Sequence, residues 1–370
     1  MNLQATEPSL SIAIMSHPKR AVEARTLASR LEEARVVIDP APMGAPSPLK
    51  TAIHAWRAIA AGATHHLVVQ DDIVLSDEFL QRVRAGVALF PDAALTFYAN
   101  WSSRNAAAIR LAAGAGATWV QEMTGEYFPT LAMVLPAKYI EDYTDLATRF
   151  SAWWSDDDDM MREFLMTRDI DAYATAPCLV EHGSLDSVAG NHSHGARQAA
   201  CFSPQSGQEL PYEALAHSID FVPWMSAGRG QALVRITHEG RQDWLRRPWT
   251  DLIEPFELDA ADLKNSFDRL IAGSARLQKT SNDLGDIFTF ALWVTSYLMG
   301  TVKRAHRVPV RLLVGEALRD GDESIVRAGL HTIAAGGCGW TNLPMPVLAT
   351  YSTETTELAE AGYYCGLAGS

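Results

Sequence analysis

The chain has 370 residues, 48% of them hydrophobic and 20% charged, with a formal net charge of −13 at pH 7. That length and balance admit a large buried core and about two domains. The acidic excess argues against general nucleic-acid binding, which rests on Lys and Arg neutralising phosphates.

The first predicted strand is Leu10 to Ser16, and Ala21 to Ala34 follows at helical spacing. Arg35 to Asp39 reads as a second strand, before a Pro/Gly-rich loop over 40–48. Leu49, Ala52, Ile53, Trp56, Ile59 and Ala60 recur as one face of an amphipathic helix. His66 to Gln70 is a third strand, then Asp77 to Leu89 a helix with Ser76 as its expected N-cap, then a strand over Ala94 to Ala99. Residues 100–136 are less regular and hold Gly114, Gly116, Gly125 and Pro129. Tyr139 to Phe150 and Ser155 to Thr167 are predicted helices, and Ile170 to Ala176 a strand closed by Pro177. Residues 182–212 read as a loop or lid.

Strands alternating with helices predict an α/β domain, Rossmann-like, with a mostly parallel sheet and flanking helices. Past about residue 220 the pattern changes. Residues 260–279, 283–304 and 323–335 read as helices with few clear strands, so 1–220 and 221–370 are expected as two domains, the second mainly helical. Ile287 to Val302 is too short and too rich in Thr and Ser for a membrane span and is expected as a buried helix. The apolar C-terminal helices are a candidate surface for self-association.

Cys178, Cys201, Cys338 and Cys365 form no C-x-x-C pair, so they are expected as free thiols, which suits a reducing cytoplasm. The polar Met1 to Ser9 has no basic-then-apolar leader pattern. No G-x-x-x-x-G-K-[ST], G-x-G-x-x-G or G-x-S-x-G motif occurs, which disfavours P-loop, dinucleotide-cofactor and α/β-hydrolase chemistry.

Four clusters carry candidate chemistry. Gln70-Asp71-Asp72 ends a strand in two acids, where ligands meet open α/β sheets; a solvated turn is the plain alternative. Ser16-His17-Pro18-Lys19-Arg20, with Arg25, ends the first strand on the same predicted rim, and Arg pairs well with phosphate. Trp153-Trp154-Ser155 precedes Asp156 to Asp159. Acids here suit a helix start, and Ser155 with Asp158 resembles a capping box. Yet four acids exceed capping needs, and two tryptophans suit stacking on a sugar. Glu181-His182-Gly183, with His192 and His194 beyond it, offers metal-type ligands after a strand. A basic group at Lys303, Arg304, His306, Arg307 and Arg311 follows an apolar helix, where cations are favoured in any case.

Residues 10–190 resemble a GT-A type glycosyltransferase, through the Ser16-His17-Pro18-Lys19-Arg20 turn, the run Thr64 to Asp72, and the later acidic and His-Gly segments. The resemblance implies transfer of a sugar from a nucleotide-diphosphate donor to an acceptor. In that superfamily the last acid of a D-x-D motif binds Mn²⁺ or Mg²⁺; Asp72 holds that position, while the first is Gln70. By the same resemblance His182 is a further metal ligand, and Asp157 or Asp158 the catalytic base. Ser16, His17, Arg20, Gln70, Asp71, Trp153 and Trp154 would line the nucleotide-sugar site. Two other functions use the same groups: nucleotidyl transfer, and non-catalytic binding of a nucleotide or carbohydrate.

Overall fold

The computed structural model describes residues 8–44, 47–123, 125–183, 197–204, 212–238, 241–339, 341 and 343–369. The main sheet is laid down from β1 (Leu10–Ser16), which leads through a one-turn helix and α1 (Ala21–Ala28) to β2 (Arg35–Ile38). Then come α2 (Pro48–Trp56), β3 (His65–Gln70), the short β4 (Ile73–Leu75), α3 (Phe79–Leu89) and β5 (Ala94–Thr96). The chain continues with α4 (Arg104–Gly114), β6 (Trp119–Gln121), β7 (Ala132–Pro136), α5 (Ile140–Phe150), α6 (Asp157–Arg168), β8 (Ala172–Thr175), β9 (Val180–His182) and β10 (Glu213–Ala216). A separate antiparallel sheet follows, β11 (Phe221–Ser226), β12 (Arg229–His238) and β13 (Arg241–Pro248). The remainder is α7 (Ala260–Ala272), α8 (Ala275–Leu284), α9 (Asp286–Arg304), β14 (Val310–Val314), α10 (Glu323–Gly337), α11 (Met345–Thr350) and α12 (Ser352–Ala368).

The nine-stranded sheet is ordered β14-β10-β6-β8-β5-β7-β3-β1-β2. β1, β2, β3, β5 and β8 run in one direction, and β6, β7 and β10 run against them. The α/β class and the alternation over the first hundred residues are as the sequence predicts. The C-terminal ends of β1, β2 and β3 therefore share one rim, and antiparallel β7 delivers its preceding loop to the same rim.

The region past 220 is mainly helical from residue 249 onward, but its start is the three-stranded sheet, and β14 returns to pair with β10. The expectation of few strands there is corrected. β13 is mostly exposed and rich in Arg, so it lacks the apolar alternation that announces a half-buried strand. Two buried polar ties join parts of the molecule. The Arg110 side chain donates to Thr332 Oγ1 at 2.9 and 3.1 Å, linking α4 to α10. Glu213 accepts from Thr118 and Trp119 at 2.6 and 2.9 Å and faces Arg82 at 3.5 Å.

Other boundaries shift for local reasons. α1 stops at Ala28, and the chain turns with Glu33 in the left-handed region at φ 53°. α3 starts at Phe79 with Glu78 at the N-cap, and the Ser76 hydroxyl is buried without a partner instead of capping. The expected 260–279 helix breaks at Gly273–Ser274, where Ser274 caps α8 through Leu277 N. Residues 100–136 are more regular than expected, holding α4, β6 and β7. All four cysteines are free thiols. Among the described residues, no helix is long and apolar enough to cross a membrane.

Candidate active site

Parallel pairing of β1 with β3 sets Met15 beside Gln70, so the residues that follow each strand meet. The turn after β1 is pinned by His17, whose Nδ1 accepts from Lys19 N at 3.2 Å. It carries Arg20 back beneath the rim, where the side chain is buried. Arg20 Nη1 lies 3.0 Å from Asp71 Oδ1 and 2.6 Å from Asp72 Oδ2. His17 N donates to Asp71 Oδ2 at 3.0 Å, and the Ser16 hydroxyl, which donates to His17 O at 3.1 Å, lies beside Asp71. The acids are thus not a solvated turn: Asp71 and Asp72 are each 8% exposed. Burial raises the Asp71 carboxyl above its ordinary range, while Ser16 and Arg20 pull it down. Burial also opposes the Arg20 charge, but Asp72 and Asp71 outweigh it and raise the guanidinium further.

His182 reaches the same point by a different route. β4 pairs antiparallel with β9, placing Ile73 opposite His182. Gly183 N donates to Asp72 O at 2.6 Å and closes that pairing. The imidazole Nε2 then stands 3.7 Å from Asp72 Oδ2. Its Nδ1 is 2.8 Å from the Gly183 carbonyl, an acceptor only, so Nδ1 carries a proton and Nε2 is the nitrogen turned toward Asp72. Asp72 Oδ1 is buried with no hydrogen-bond partner.

An imidazole nitrogen facing a carboxylate, beside the orphaned Asp72 Oδ1, is a donor pair of the type that holds Mn²⁺ or Mg²⁺ at about 2–2.3 Å. Asp72 and His182 supply two donors, and no group of three or more His, Cys, Asp or Glu side chains converges among the described residues. The other ligands would be oxygens of a bound diphosphate or water.

The acidic corner is tied to this tip by two neighbouring residues. Leu131 O accepts from Gln70 N at 2.9 Å, and the Thr130 hydroxyl hydrogen-bonds Asp157. Thr96 Oγ1 holds the segment from below by donating to Pro129 O at 2.9 Å. α6 begins with Asp156 at its N-cap and no side-chain cap bond, so the Ser155–Asp158 capping box is not made. Ser155 O instead accepts from Leu49 N at 3.0 Å, fastening the corner to α2. Asp157 is buried, which raises its carboxyl. Asp158 is half-buried; burial, and then the Asp157 charge, push it up to about 7. Beneath them the buried Tyr143 hydroxyl has no partner.

The two tryptophans part company. Trp154 packs against the α2–α5–α6 core, whereas Trp153 is 84% exposed at the end of α5 and available as a stacking platform. Arg25 is exposed on α1, away from the carboxylates. The basic group lies on the last turn of α9, in the connection after it and on β14, six strands across the sheet from β3, and is not brought to the rim. His192 and His194 lie outside the described residues, as does most of the expected 182–212 loop.

Sequence reasoning missed Tyr98 and Tyr127. Burial raises both phenols; Tyr127 also feels the Asp158 charge, and Tyr98 that of Glu181. Tyr127 thus lies near the acidic corner and Tyr98 near Glu181 on β9. Their signal was positional only: Tyr98 sits just past the C-terminal end of a rim strand. A surface hollow of about 400 Å³, lined by Gly228, Leu284, Ile287 and Leu343, belongs to the C-terminal region and carries none of these groups.

No protein-family model and no curated protein sequence matches the chain.

Proposed function

We propose that the chain is a glycosyltransferase that moves a sugar from a nucleotide-diphosphate donor to an acceptor hydroxyl. The observation that carries this reading is the coupling of two carboxylate pairs on one sheet rim, Asp71–Asp72 and Asp157–Asp158, through Leu131 and Thr130. One pair is paired with an arginine and faced by a histidine; the other has no ion-pair partner among the described residues, and its Asp158 is pushed up to about 7. Those are the two environments that leaving-group binding and proton removal require.

Arg20 and the His17 turn would meet the diphosphate, with Gln70 beside the ribose. A divalent cation held by Asp72 and His182 would supply charge neutralisation of the departing diphosphate. Asp158, at about 7, is matched to accept the proton of the acceptor hydroxyl near neutral pH. Buried Asp157, held by Thr130, raises Asp158 and fixes the helix start. Exposed Trp153 would take a sugar face.

The test is hydrolysis of UDP-, GDP- and TDP-sugars with Mn²⁺. Release of nucleoside diphosphate is expected; release of pyrophosphate would replace this reading with nucleotidyl transfer. Asp72→Asn should weaken Mn²⁺-dependent nucleoside-diphosphate binding at least about tenfold in calorimetry, with an unchanged circular dichroism spectrum. Wild-type affinity in that variant would remove Asp72 from the site.

A further inference from the structure

β13 is the outer strand of the three-stranded sheet, and among the described residues it pairs on one side only, with β12. From Gln242 to Pro248 it is exposed or half-buried. Arg235 N on β12 donates to Asp220 O, on the side away from β13, at 2.9 Å. The main-chain groups of Val234 and Ile236 therefore face β13, and those of their partners Leu245 and Asp243 face β12. Trp244 and Arg246 alternate with them and turn their main-chain groups outward. The Trp244 N–H accordingly donates to the Asp243 carboxylate at 2.7 Å and not to the ladder. Pro248 falls in the outward set, where its missing N–H costs no bond to β12.

Such an edge recruits a further strand unless its charges forbid it. A two-fold antiparallel pairing of β13 with itself sets outward residues against outward ones, which restricts the register. Centred on Asp243 or on Arg246, it sets like charges face to face. Centred on Trp244, it sets each Asp243 carboxylate against a leucine. Centred on Leu245, it sets Leu245 against Leu245, Asp243 against Arg247 twice, and Trp244 beside Arg246 twice. Opposite charges and an aromatic–guanidinium pair then stabilise the pairing across the strands. Asp243 is open to this role, since among the described residues it makes no ion pair, and Arg247 has only a 3.9 Å approach to the exposed Asp251. We propose that the chain forms a two-fold dimer with a second copy of itself through β13, centred on Leu245, with Asp243 of each protomer against Arg247 of its partner. The two three-stranded sheets become one continuous sheet. The inference is independent of the glycosyltransferase reading.

The test is sedimentation equilibrium of the full chain from about 1 to about 500 µM, because pairing along one strand makes a small interface of the weak class. A monomer–dimer equilibrium is expected. Asp243→Arg and Arg247→Glu should each weaken it at least about fivefold, since each sets like charges opposite one another at two places. The exchange Asp243→Arg/Arg247→Glu should restore wild-type association to within about twofold. Thermal unfolding of all three variants should match wild type, because these side chains are exposed. Leu245 meets itself across the two-fold, so Leu245→Cys should join two protomers by a disulfide when copper–phenanthroline takes the two electrons. Trp244→Cys, set against Arg246, should not cross-link above the wild-type background. A wild type that stays monomeric over the whole range overturns the proposal. So does a dimer that the single variants leave intact, that the exchange fails to restore, or that Leu245→Cys fails to cross-link, since self-association then lies on another face or in another register.

Discussion

At the scale of single residues, the site is a contrast between carboxylates of the same type. Asp71 and Asp72 share an arginine, while among the described residues no cation forms an ion pair with Asp157 or Asp158. The consequence is a pH dependence with a definite sign. Asp158 rises from about 4 in the unfolded chain to about 7 in the fold. The folded state thus binds its proton more tightly, and the stability this brings is present below pH 4 and lost as pH rises through 7. Asp158→Asn should raise the melting temperature at pH 8 by roughly 2–4 °C, with the gain absent at pH 4. The same variant should abolish the rising limb near pH 7 in the pH profile of kcat/KM. A melting temperature equally changed at both pH values would argue against an ionised, buried Asp158. The acids themselves were legible in the sequence, because adjacent carboxylates after an apolar run have few structural uses. Their different surroundings were not, since the burial that raises Asp157 and Asp158 and the position of Arg20 beside Asp71 and Asp72 arise only in the fold.

Among elements, β4 and β9 do the positioning. Each is three residues long, and their pairing brings His182 to Asp72 across more than a hundred residues of chain. Gly183 ends the pairing, and a Cβ there would come within 2.8 Å of the Asp72 carbonyl oxygen. Gly183→Ala should therefore displace the Asp72 backbone and reduce Mn²⁺-dependent nucleotide binding at least about tenfold, at a stability cost of about 1–3 kcal/mol. Calorimetric titration and chemical unfolding measure the two effects; full binding with normal stability would show that the pairing does not place Asp72. Strands this short leave no periodic trace, so His182 was noticed for its type and not its partner. α4 was missed for the opposite reason. It is Ala-rich and buried on nearly every side, so it has no polar face to reveal a 3.6-residue period. The βαβ units that begin the chain were readable because their helices keep one wet face.

At the scale of the whole molecule, the rim that carries the acidic pairs depends on packing far from it. One hydrophobic core runs from Ile12 on β1 to Tyr363 on α12. α9 and α12 meet at near-backbone contact: a Cβ at Gly366 would lie 1.9 Å from the Tyr297 carbonyl oxygen, and one at Gly300 would lie 2.1 Å from that of Tyr363. Gly366→Val should destabilise the protein by about 3 kcal/mol or more and lower the midpoint of one cooperative calorimetric transition. Two separated transitions would show that α12 melts on its own. The mainly helical character of this region was legible from its apolar spacing. The close approach of α9 to α12 was not, because a glycine in a helical run reads first as a weak helix former.

Thr130 and Leu131 are neighbours in the chain and make one tie each. Leu131 holds the end of β3 by its carbonyl, and Thr130 holds the Asp157 corner by its hydroxyl. Both grips belong to one stretch of backbone two residues long, so neither acidic pair can be re-aimed alone. A substitution that moves this joint would disturb both together.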